Sequence, residues 1–345
     1  MSEAVLTGLL LALVAGFSNG SFFVPMRYVR RWQWENTWLV FTFLSQIVLP
    51  WLAAWLVIPH LFGVLRASPW GYLLPGLVAG FFWGIAQVTY GLSVRMVGIA
   101  AGNAIVSGVA TVTGTVGPLI VYAPERVLTA TGLIFFAAIA VTVCGVYVYG
   151  RAGIQRERET SGREAGQGGA HGDFRTGMIV CLATGLLGTA FIYGFASSTE
   201  LVRAAEAAGA KPLFAGYVAW AVTFSAGFIS NLLYCLYQMR KNQSARALIS
   251  SGCFLRNTSL AGSMGILWYG GVLMYGMAAA RMGRLGPSVG FGLFVSGTIL
   301  FATVLGYLIG EWRGASRETI RGFLKGMLLI IAGIAVLTFA VARNG

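Results

Sequence analysis

The chain has 345 residues, of which 57% are hydrophobic and 10% charged, with a formal net charge of +13 and a mean hydropathy of +0.75. A composition with so little polar surface excludes an ordinary soluble domain and indicates a protein of the lipid bilayer. The chain has only two histidines and four cysteines, which leaves few groups for metal or nucleophilic chemistry.

Uncharged apolar runs follow one another along the chain. About 20 helical residues cross the hydrocarbon core of a bilayer, and these runs are of that order of length. In chain order they are Ala4–Val24, Trp38–Ile58, Gly71–Val94, Val97–Ala123, Val127–Gly150, Thr176–Thr199, Pro212–Met239, Asn257–Ala280, Leu285–Gly310 and Gly326–Val341. We therefore predict an all-α integral membrane protein with ten transmembrane helices, which we number helix one to helix ten.

The polar stretch from Arg151 to Arg175 interrupts this pattern near the middle of the chain. It is rich in glycine and in mixed charge, a composition typical of segments without fixed structure. We predict a cytoplasmic linker there. It divides the chain into a first five-helix repeat (residues 1–150), the linker (151–175) and a second five-helix repeat (176–345).

Helices three and eight share a sequence pattern. The stretch "GFFWGIAQVTYG" at Gly80–Gly91 is matched 185 positions later by "GILWYGGVLMYG" at Gly265–Gly276. Chance similarity between glycine-rich helices is the alternative to a duplication. A duplicated unit with an odd number of spans enters the membrane from the opposite side, so the pattern predicts two inverted repeats, the architecture of alternating-access transporters.

The positive charge is distributed unevenly between the predicted loops. Most Lys and Arg residues fall in alternate loops, and positive loops tend to stay cytoplasmic, so we predict that both termini face the periplasmic side. The net charge of +13 then indicates topology and attraction to anionic membrane lipid, and we expect no nucleic-acid partner.

Glycines spaced four apart predict close helix contacts, because they remove side-chain bulk from one helix face. The pairs are Gly16/Gly20, Gly80/Gly84, Gly98/Gly102, Gly286/Gly290 and Gly306/Gly310.

Aromatic and amide side chains suggest the kind of ligand. Trp83, Gln87 and Tyr90 lie at i, i+4 and i+7 and so share one face of helix three. The other candidate substrate-binding residues are Asn103 and Ser107 of helix four, Trp268 and Tyr275 of helix eight, and Asn19 of helix one. Rings cover C–H faces while amides pair with hydroxyls, so we predict a small neutral sugar as ligand. Packing and hydrogen bonding between helices is the alternative for each residue.

The sequence offers no reactive cluster. It has no HExxH motif and no paired carboxylates inside the apolar runs, so we predict a protein that is not an enzyme and has no cofactor or metal. A membrane-embedded enzyme remains a remote alternative. Glu35 and Glu311 lie at the cytoplasmic ends of helices two and nine, where pairing with arginine or helix capping is the favoured role. The sequence by itself does not demonstrate proton coupling.

Several segments together resemble one known family. They are "FVPMRYVRRWQWENTW", "VLPW" at Val48–Trp51, "WGIAQVTYGLSVRMVGIAAG" at Trp83–Gly102, "WYGGVLMYG", and "GEW" at Glu311. The chain is similar to the L-rhamnose–proton symporter family of the drug/metabolite transporter superfamily. The resemblance implies import of L-rhamnose, or a related deoxy or pentose sugar, with a proton across the bacterial inner membrane. A carrier or exporter of another metabolite, or one without proton coupling, is the alternative.

The resemblance also implies functional positions. Those it supports are Glu35, Trp83, Gln87, Tyr90, Arg95, Asn257 and Trp268. We therefore add Asn257 to the candidate substrate-binding residues and take Glu35 as the candidate proton-coupling residue. Two positions depart from the family pattern: Pro287 stands where an acidic residue is expected early in helix nine, and Arg256 stands where a histidine commonly precedes the asparagine. Either departure is expected to alter which ion drives transport or which sugar is carried. The oligomeric state is not predicted.

Overall fold

The structure is a computed structural model that describes residues 3–122, 130–164, 174–190, 198–250, 252–282 and 290–344. The helices are α1 (Glu3–Ser21), α2 (Trp34–Phe43), α3 (Leu49–Val57), α4 (Leu61–Ala67), α5 (Trp70–Val97), α6 (Ile99–Tyr122), α7 (Ala130–Glu164), α8 (Phe174–Gly188), α9 (Thr199–Ala207), α10 (Pro212–Ala215), α11 (Tyr217–Lys241), α12 (Ala247–Ser250), α13 (Phe254–Met282), α14 (Phe291–Leu308) and α15 (Arg317–Asn344). A 3-10 turn spans Val24–Tyr28, and a π-helical turn spans Leu44–Val48 between α2 and α3. No strand occurs in these described ranges.

Six stretches of the described chain are long and apolar enough to cross a membrane. They are Leu6–Tyr28, Trp34–Val57, Trp70–Val97, Phe136–Arg156, Pro212–Lys241 and Arg317–Val336; shorter apolar helices are Ile99–Ala110, Phe174–Gly188 and Gly292–Leu308. The prediction of an all-helical, multi-pass membrane protein is confirmed at this level. Helix two of the sequence analysis consists of α2, the π-helical turn and α3.

The helices cluster into two compact units. Unit 1 contains Met1–Ser21, Thr89–Leu186 and Gly271–Gly345. Its core includes Ile105, Tyr149 and Ile299, each fully or almost fully buried. Each unit takes segments from both halves of the sequence.

Two glycine-mediated helix contacts hold unit 1 together. Gly16 of α1 faces the backbone of α14, where an added Cβ would lie 2.9 Å from the carbonyl oxygen of Phe294. Gly145 of α7 similarly faces the backbone of Ile330 on α15. In both places the missing side chain allows two helix backbones to approach closely.

Unit 2 contains Phe22–Val88 and Leu187–Gly270. Gly80 and Gly84 of α5 lie directly against the α11 backbone at Thr223 and Gly227, where a side chain at either position would collide. The contacts predicted for the Gly80/Gly84 pair are therefore confirmed.

The helices α5 and α6 meet at Gly98, which has a φ of +90°. A positive φ favours glycine, since other residues are strained there. The carboxylate of Glu311 accepts hydrogen bonds from the backbone N–H groups of Ile99 (2.8 Å) and Ala100 (3.2 Å) at the start of α6. Helix capping, one of the two favoured roles for Glu311, is confirmed.

The prediction that the linker lacks fixed structure is wrong for residues 151–164. These residues extend α7 without a break as far as Glu164. The extension has helix-forming residues and an internal hydrogen bond from Gln155 to Glu159, and Glu159 also binds Ser316. Residues 165–173 lie outside the described residues.

Candidate functional site

A cluster of buried aromatic rings lies in unit 2. The rings of Trp83 on α5 and Trp268 on α13 have centroids 5.9 Å apart. Phe224 of α11 contacts both, at 5.1 Å and 5.4 Å, and Tyr269 lies 6.2 Å from Phe224. Gly227 makes room for the Trp83 ring, because an added Cβ would lie 2.9 Å from it. We call these four rings the aromatic cluster.

Gln87 places an amide one helical turn from the aromatic cluster. It follows Trp83 by four residues on α5, is 8% exposed and makes no hydrogen bond to a described residue. An amide of this kind has both donors and an acceptor available to a hydroxyl-bearing ligand.

A set of hydrogen-bonded polar side chains in unit 2 connects α11 to helix two. The indole N–H of Trp38 donates to Asn231 Oδ1 (2.8 Å), and Asn231 Nδ2 donates to Gln46 Oε1 (3.4 Å) and to the carbonyl oxygen of Gly227 (2.9 Å). We call Trp38, Asn231 and Gln46 the amide network. All three side chains are at most 1% exposed, so the network holds polar groups inside an apolar environment where each needs a partner.

The π-helical turn positions part of this network. Leu44–Val48 contains Gln46 and also Ser45, which is fully buried and whose hydroxyl has no partner among the described residues. Single π-helical turns inside α-helices occur frequently at functional sites. The turn faces α13, because an added Cβ on Gly265 would contact Leu44 and Ser45 at 3.6–3.7 Å.

Glu35 is a buried carboxylate in the first turn of α2. It is 2% exposed, and its Oε1 accepts hydrogen bonds from Ser244 Oγ (2.5 Å) and Asn242 Nδ2 (3.0 Å). It forms no ion pair with a described residue. Among the described residues, neutral donors from the segment after α11 contact the Glu35 carboxylate, and the predicted arginine partner is not found there.

Other candidates lie in unit 1. The Tyr90 hydroxyl donates to Asn103 Oδ1 (2.5 Å), and Asn103 Nδ2 donates to the carbonyl oxygen of Ile99 (2.9 Å). Asn103 is fully buried, and Ser107 is partly buried one turn further along α6. Tyr90 and Asn103 thus form a pair that joins α5 to α6.

Tyr275 and Asn19, also in unit 1, have separate surroundings. The Tyr275 ring stacks on Phe294 of α14 with centroids 5.1 Å apart. Asn19 of α1 lies against α13 at Gly271, where an added Cβ would be 3.0 Å from its Nδ2.

Among the positions to which the family resemblance drew attention, Asn257 is buried, whereas Arg256 and Arg95 are exposed. The fully buried side chain of Asn257 bonds to the backbone of Arg30 twice. Its Oδ1 accepts from the Arg30 N–H (3.3 Å), and its Nδ2 donates to the Arg30 carbonyl oxygen (2.8 Å). Arg256 is exposed and donates to the carbonyl oxygen of Tyr28 (3.2 Å). Arg95 is exposed in the last turn of α5. Pro287 lies outside the described residues.

Sequence reasoning missed part of the site. Phe224, Tyr269, Trp38, Asn231 and Gln46 were not among the candidates. A signal was present for two of them, since Gln46 and Asn231 are amides within apolar runs and are 185 positions apart. That is the spacing already found between helices three and eight.

No group of three or more His, Cys, Asp or Glu residues suited to a metal ion occurs within the described ranges. The chemistry of the site is therefore that of rings, amides, hydroxyls and one buried carboxylate.

Long apolar helices around buried rings and amides define a multi-pass helical membrane protein. Residues 1–343 match the family described as L-rhamnose-proton symport protein (RhaT), and the chain belongs to this family. The family is one of symporters, not enzymes. The chain is 27% identical over 350 residues to the L-rhamnose-proton symporter of Cronobacter sakazakii, with both chains fully covered. It is 25% identical over 349 residues to the proteins of the same name from Shigella dysenteriae serotype 1 and Escherichia coli strain SMS-3-5, covering 99% of this chain and all of theirs.

Proposed function

We propose that this protein imports L-rhamnose together with a proton across the bacterial inner membrane by alternating access. Family membership over residues 1–343 gives the reaction class. The observation that carries the substrate class is the contact between Trp83 and Trp268. One helical turn along α5 lies the amide of Gln87, which has no hydrogen-bond partner among the described residues. Rhamnose has a methyl group and C–H faces suited to indole rings, and hydroxyls suited to an amide.

In this proposal the aromatic cluster and Gln87 contact the sugar directly. The remaining candidates are proposed as further contacts or as positioning residues: Tyr90, Asn103, Ser107, Asn257, Tyr275 and Asn19. Asn257 and Asn103 suit positioning best, because each already uses its amide to hold a neighbouring backbone.

The helix contacts within the units support the proposed inverted repeats. In unit 1, helix one (α1) packs against helix nine (α14), and helix six (α8) packs against helix four (α6). In unit 2, helix three (α5) packs against helix seven (α11), and helix eight (α13) packs against helix two. If each helix is replaced by its counterpart in the other half of the chain, the contact of helix one with helix nine becomes that of helix six with helix four. The contact of helix three with helix seven likewise becomes that of helix eight with helix two. This is expected for ten helices arranged as two inverted five-helix repeats.

Two contacts between equivalent residues support the same arrangement. Trp83 contacts Trp268, and Gln46 bonds to Asn231; the members of each pair are 185 positions apart. Residues related by a twofold axis contact each other only near that axis. A substrate site beside the Trp83–Trp268 contact would therefore lie where the two repeats meet, as alternating access requires.

Glu35 is the proposed proton-coupling residue. Its carboxylate is buried at the start of α2, and its hydrogen-bond partners in the described part of the chain are the neutral groups of Ser244 and Asn242. Since no arginine or lysine among the described residues fixes its charge, it can gain and lose a proton without breaking an ion pair. Buried ionisable groups in transporters commonly carry out such proton exchange.

The transport proposal is tested by counterflow of labelled L-rhamnose in proteoliposomes. We expect saturable uptake by the natural protein, a loss of about tenfold or more in apparent affinity for Trp83→Ala, and no change for Trp55→Ala, whose side chain is 62% exposed. If the natural protein shows no saturable uptake of any deoxyhexose, the proposal is wrong.

Proton coupling is tested separately with Glu35→Gln. We expect this variant to retain rhamnose counterflow but to lose accumulation driven by a pH gradient, because the amide cannot carry the proton. Glu206→Gln is the control, since Glu206 is exposed on α9. Gradient-driven accumulation that persists in Glu35→Gln would contradict the assignment.

A further inference from the structure

Tyr269 is the one member of the aromatic cluster that carries a hydroxyl, and the sequence did not single it out. Its side chain is 2% exposed, and its hydroxyl is enclosed without a hydrogen-bond partner among the described residues. A tyrosine hydroxyl in an apolar interior normally finds a partner. The hydroxyl therefore needs an explanation.

The position of Tyr269 connects it to the proposed sugar site. Its ring contacts Phe224 edge-on at 6.2 Å, and Phe224 contacts both Trp83 and Trp268. Tyr269 also follows Gly265 by one helical turn on α13, and Gly265 faces Ser45 of the π-helical turn. Ser45 carries a second enclosed hydroxyl without a partner in the described chain. The hydroxyls of Tyr269 and Ser45, near one another along α13, are thus both without a hydrogen-bond partner among the described residues.

An unused hydroxyl in such a place destabilises the protein, whereas a phenylalanine ring of the same shape would not. A carrier gains from keeping the hydroxyl if its ligand supplies the missing partner. Sites that bond a ligand hydroxyl in this way discriminate strongly against analogues that lack it, because the protein group is then left buried and unpaired.

We propose that the Tyr269 hydroxyl bonds to one ring hydroxyl of the transported sugar and thereby determines which sugars are accepted. The inference rests on the sugar transport proposed above. It makes Tyr269 a specificity-determining residue, with Trp83 and Trp268 covering the C–H faces of the sugar and Tyr269 selecting among sugars by the presence of one hydroxyl.

The substitution Tyr269→Phe separates sugar selection from a purely structural role, because it should raise the stability of the sugar-free protein and lower the affinity for the sugar. Removal of an unpaired buried hydroxyl raises the thermal unfolding midpoint of the sugar-free protein, by about 2 °C for a chain of this size. The same change lowers the apparent affinity for L-rhamnose about tenfold, since the sugar loses a partner. Tyr237→Phe is the matched control and changes neither quantity, because Tyr237 is 59% exposed.

The decisive experiment measures inhibition of L-rhamnose counterflow by the 2-, 3- and 4-deoxy analogues for the natural protein and for Tyr269→Phe. We expect one analogue to bind the natural protein about tenfold more weakly than rhamnose does, and this penalty to disappear in the variant. Identical penalties in both proteins for every analogue would overturn the inference while leaving sugar transport intact. Absence of rhamnose counterflow in the natural protein would instead overturn the proposed function.

Discussion

Asn231 is the central residue of the amide network. Its carboxamide accepts a hydrogen bond from the indole of Trp38 and donates one to Gln46, and all three residues are at most 1% exposed. Buried polar networks stabilise a fold when every member is paired and destabilise it when one member is removed. The network therefore fixes the relation of α11 to helix two within unit 2.

We expect Asn231→Leu to lower the free energy of unfolding by about 2 kcal/mol, because it leaves a buried indole N–H and a buried amide without partners. Thermal unfolding in detergent, followed by circular dichroism, measures the loss. Gln243→Asn is the control, since Gln243 is exposed and asparagine tolerates its φ of +52°. Equal stability of Asn231→Leu and the natural protein would contradict a structural role for the network.

At the residue scale, the sequence singled out two of the four rings of the aromatic cluster and missed the other two. Trp83, Gln87 and Trp268 were predictable because they stand on repeated helices with a recognisable spacing. Phe224 and Tyr269 were not, because their role depends on which helix faces α5 in three dimensions. Periodicity reports the face of a helix but not the helix that lies opposite.

At the scale of helices, single glycines determine how closely neighbouring elements pack. A Cβ added to Gly16 of α1 would lie 2.9 Å from the carbonyl oxygen of Phe294 and 3.0 Å from the Cα of Gly297, closer than ordinary van der Waals contact. A Cβ added to Gly71 at the start of α5 would meet no atom of a described residue within 4 Å.

Alanine substitutions at Gly16 and Gly71 give a matched comparison of a packed and an open glycine. Gly16→Ala should destabilise the protein by about 1–3 kcal/mol, because the helix backbones must separate. Gly71→Ala should leave stability nearly unchanged or raise it slightly, since alanine favours a helix. Thermal unfolding of the two variants in the same detergent tests the difference. A Gly16→Ala protein as stable as Gly71→Ala would show that α1 and α14 do not pack as described.

Glu159 on the helical extension of α7 caps the start of α15. Its carboxylate accepts from the backbone N–H of Ser316 (2.7 Å) and from the hydroxyls of Ser316 and Thr319 (both 2.8 Å). These bonds, with that of Ser316 N–H first and a smaller one from Gln155, lower the pKa of Glu159 from 4.5 to about 2. A negative charge at this place also suits the positive end of the α15 dipole.

The lowered pKa predicts a pH-dependent contribution to stability. A carboxylate whose folded pKa is below its unfolded pKa stabilises the fold above the unfolded value of 4.5, and the effect is lost as pH falls to about 2. The unfolding midpoint of the natural protein should therefore exceed that of Glu159→Gln at pH 6, and the difference should shrink between pH 4.5 and pH 2. Glu206→Gln should show no such trend. A constant difference across this range would contradict the assignment.

The positions of most helices were predictable from the sequence, because the bilayer requires apolar runs of fixed length. The helical extension of α7 was not. Its polar composition matched that of a linker, and the helix depends on a bond to Ser316, which is 157 positions away from Glu159. The π-helical turn in helix two likewise has no local signal beyond Pro50, which begins the next α-helical turn.

At the scale of the whole chain, the two compact units do not coincide with the two halves of the sequence. Each unit draws helices from both halves, and α5 and α13 contribute to both units. This is the pattern that interleaved repeats produce. The division into residues 1–150, 151–175 and 176–345 therefore describes the proposed duplication, whereas the compact units describe packing.

The proposed topology makes a prediction that depends on the number of spans in each half. Five spans per half place the linker on the side of the membrane opposite to both termini, and the positive charge of the loops assigns the linker to the cytoplasm. Alkaline phosphatase needs disulfides that form in the periplasm and not in the cytoplasm. It should be active when fused after Gly345 and inactive when inserted at Gly168. Green fluorescent protein inserted at Gly168 should fluoresce. Phosphatase activity at both positions, or at neither, would place the linker and the C-terminus on one side and exclude inverted five-helix repeats.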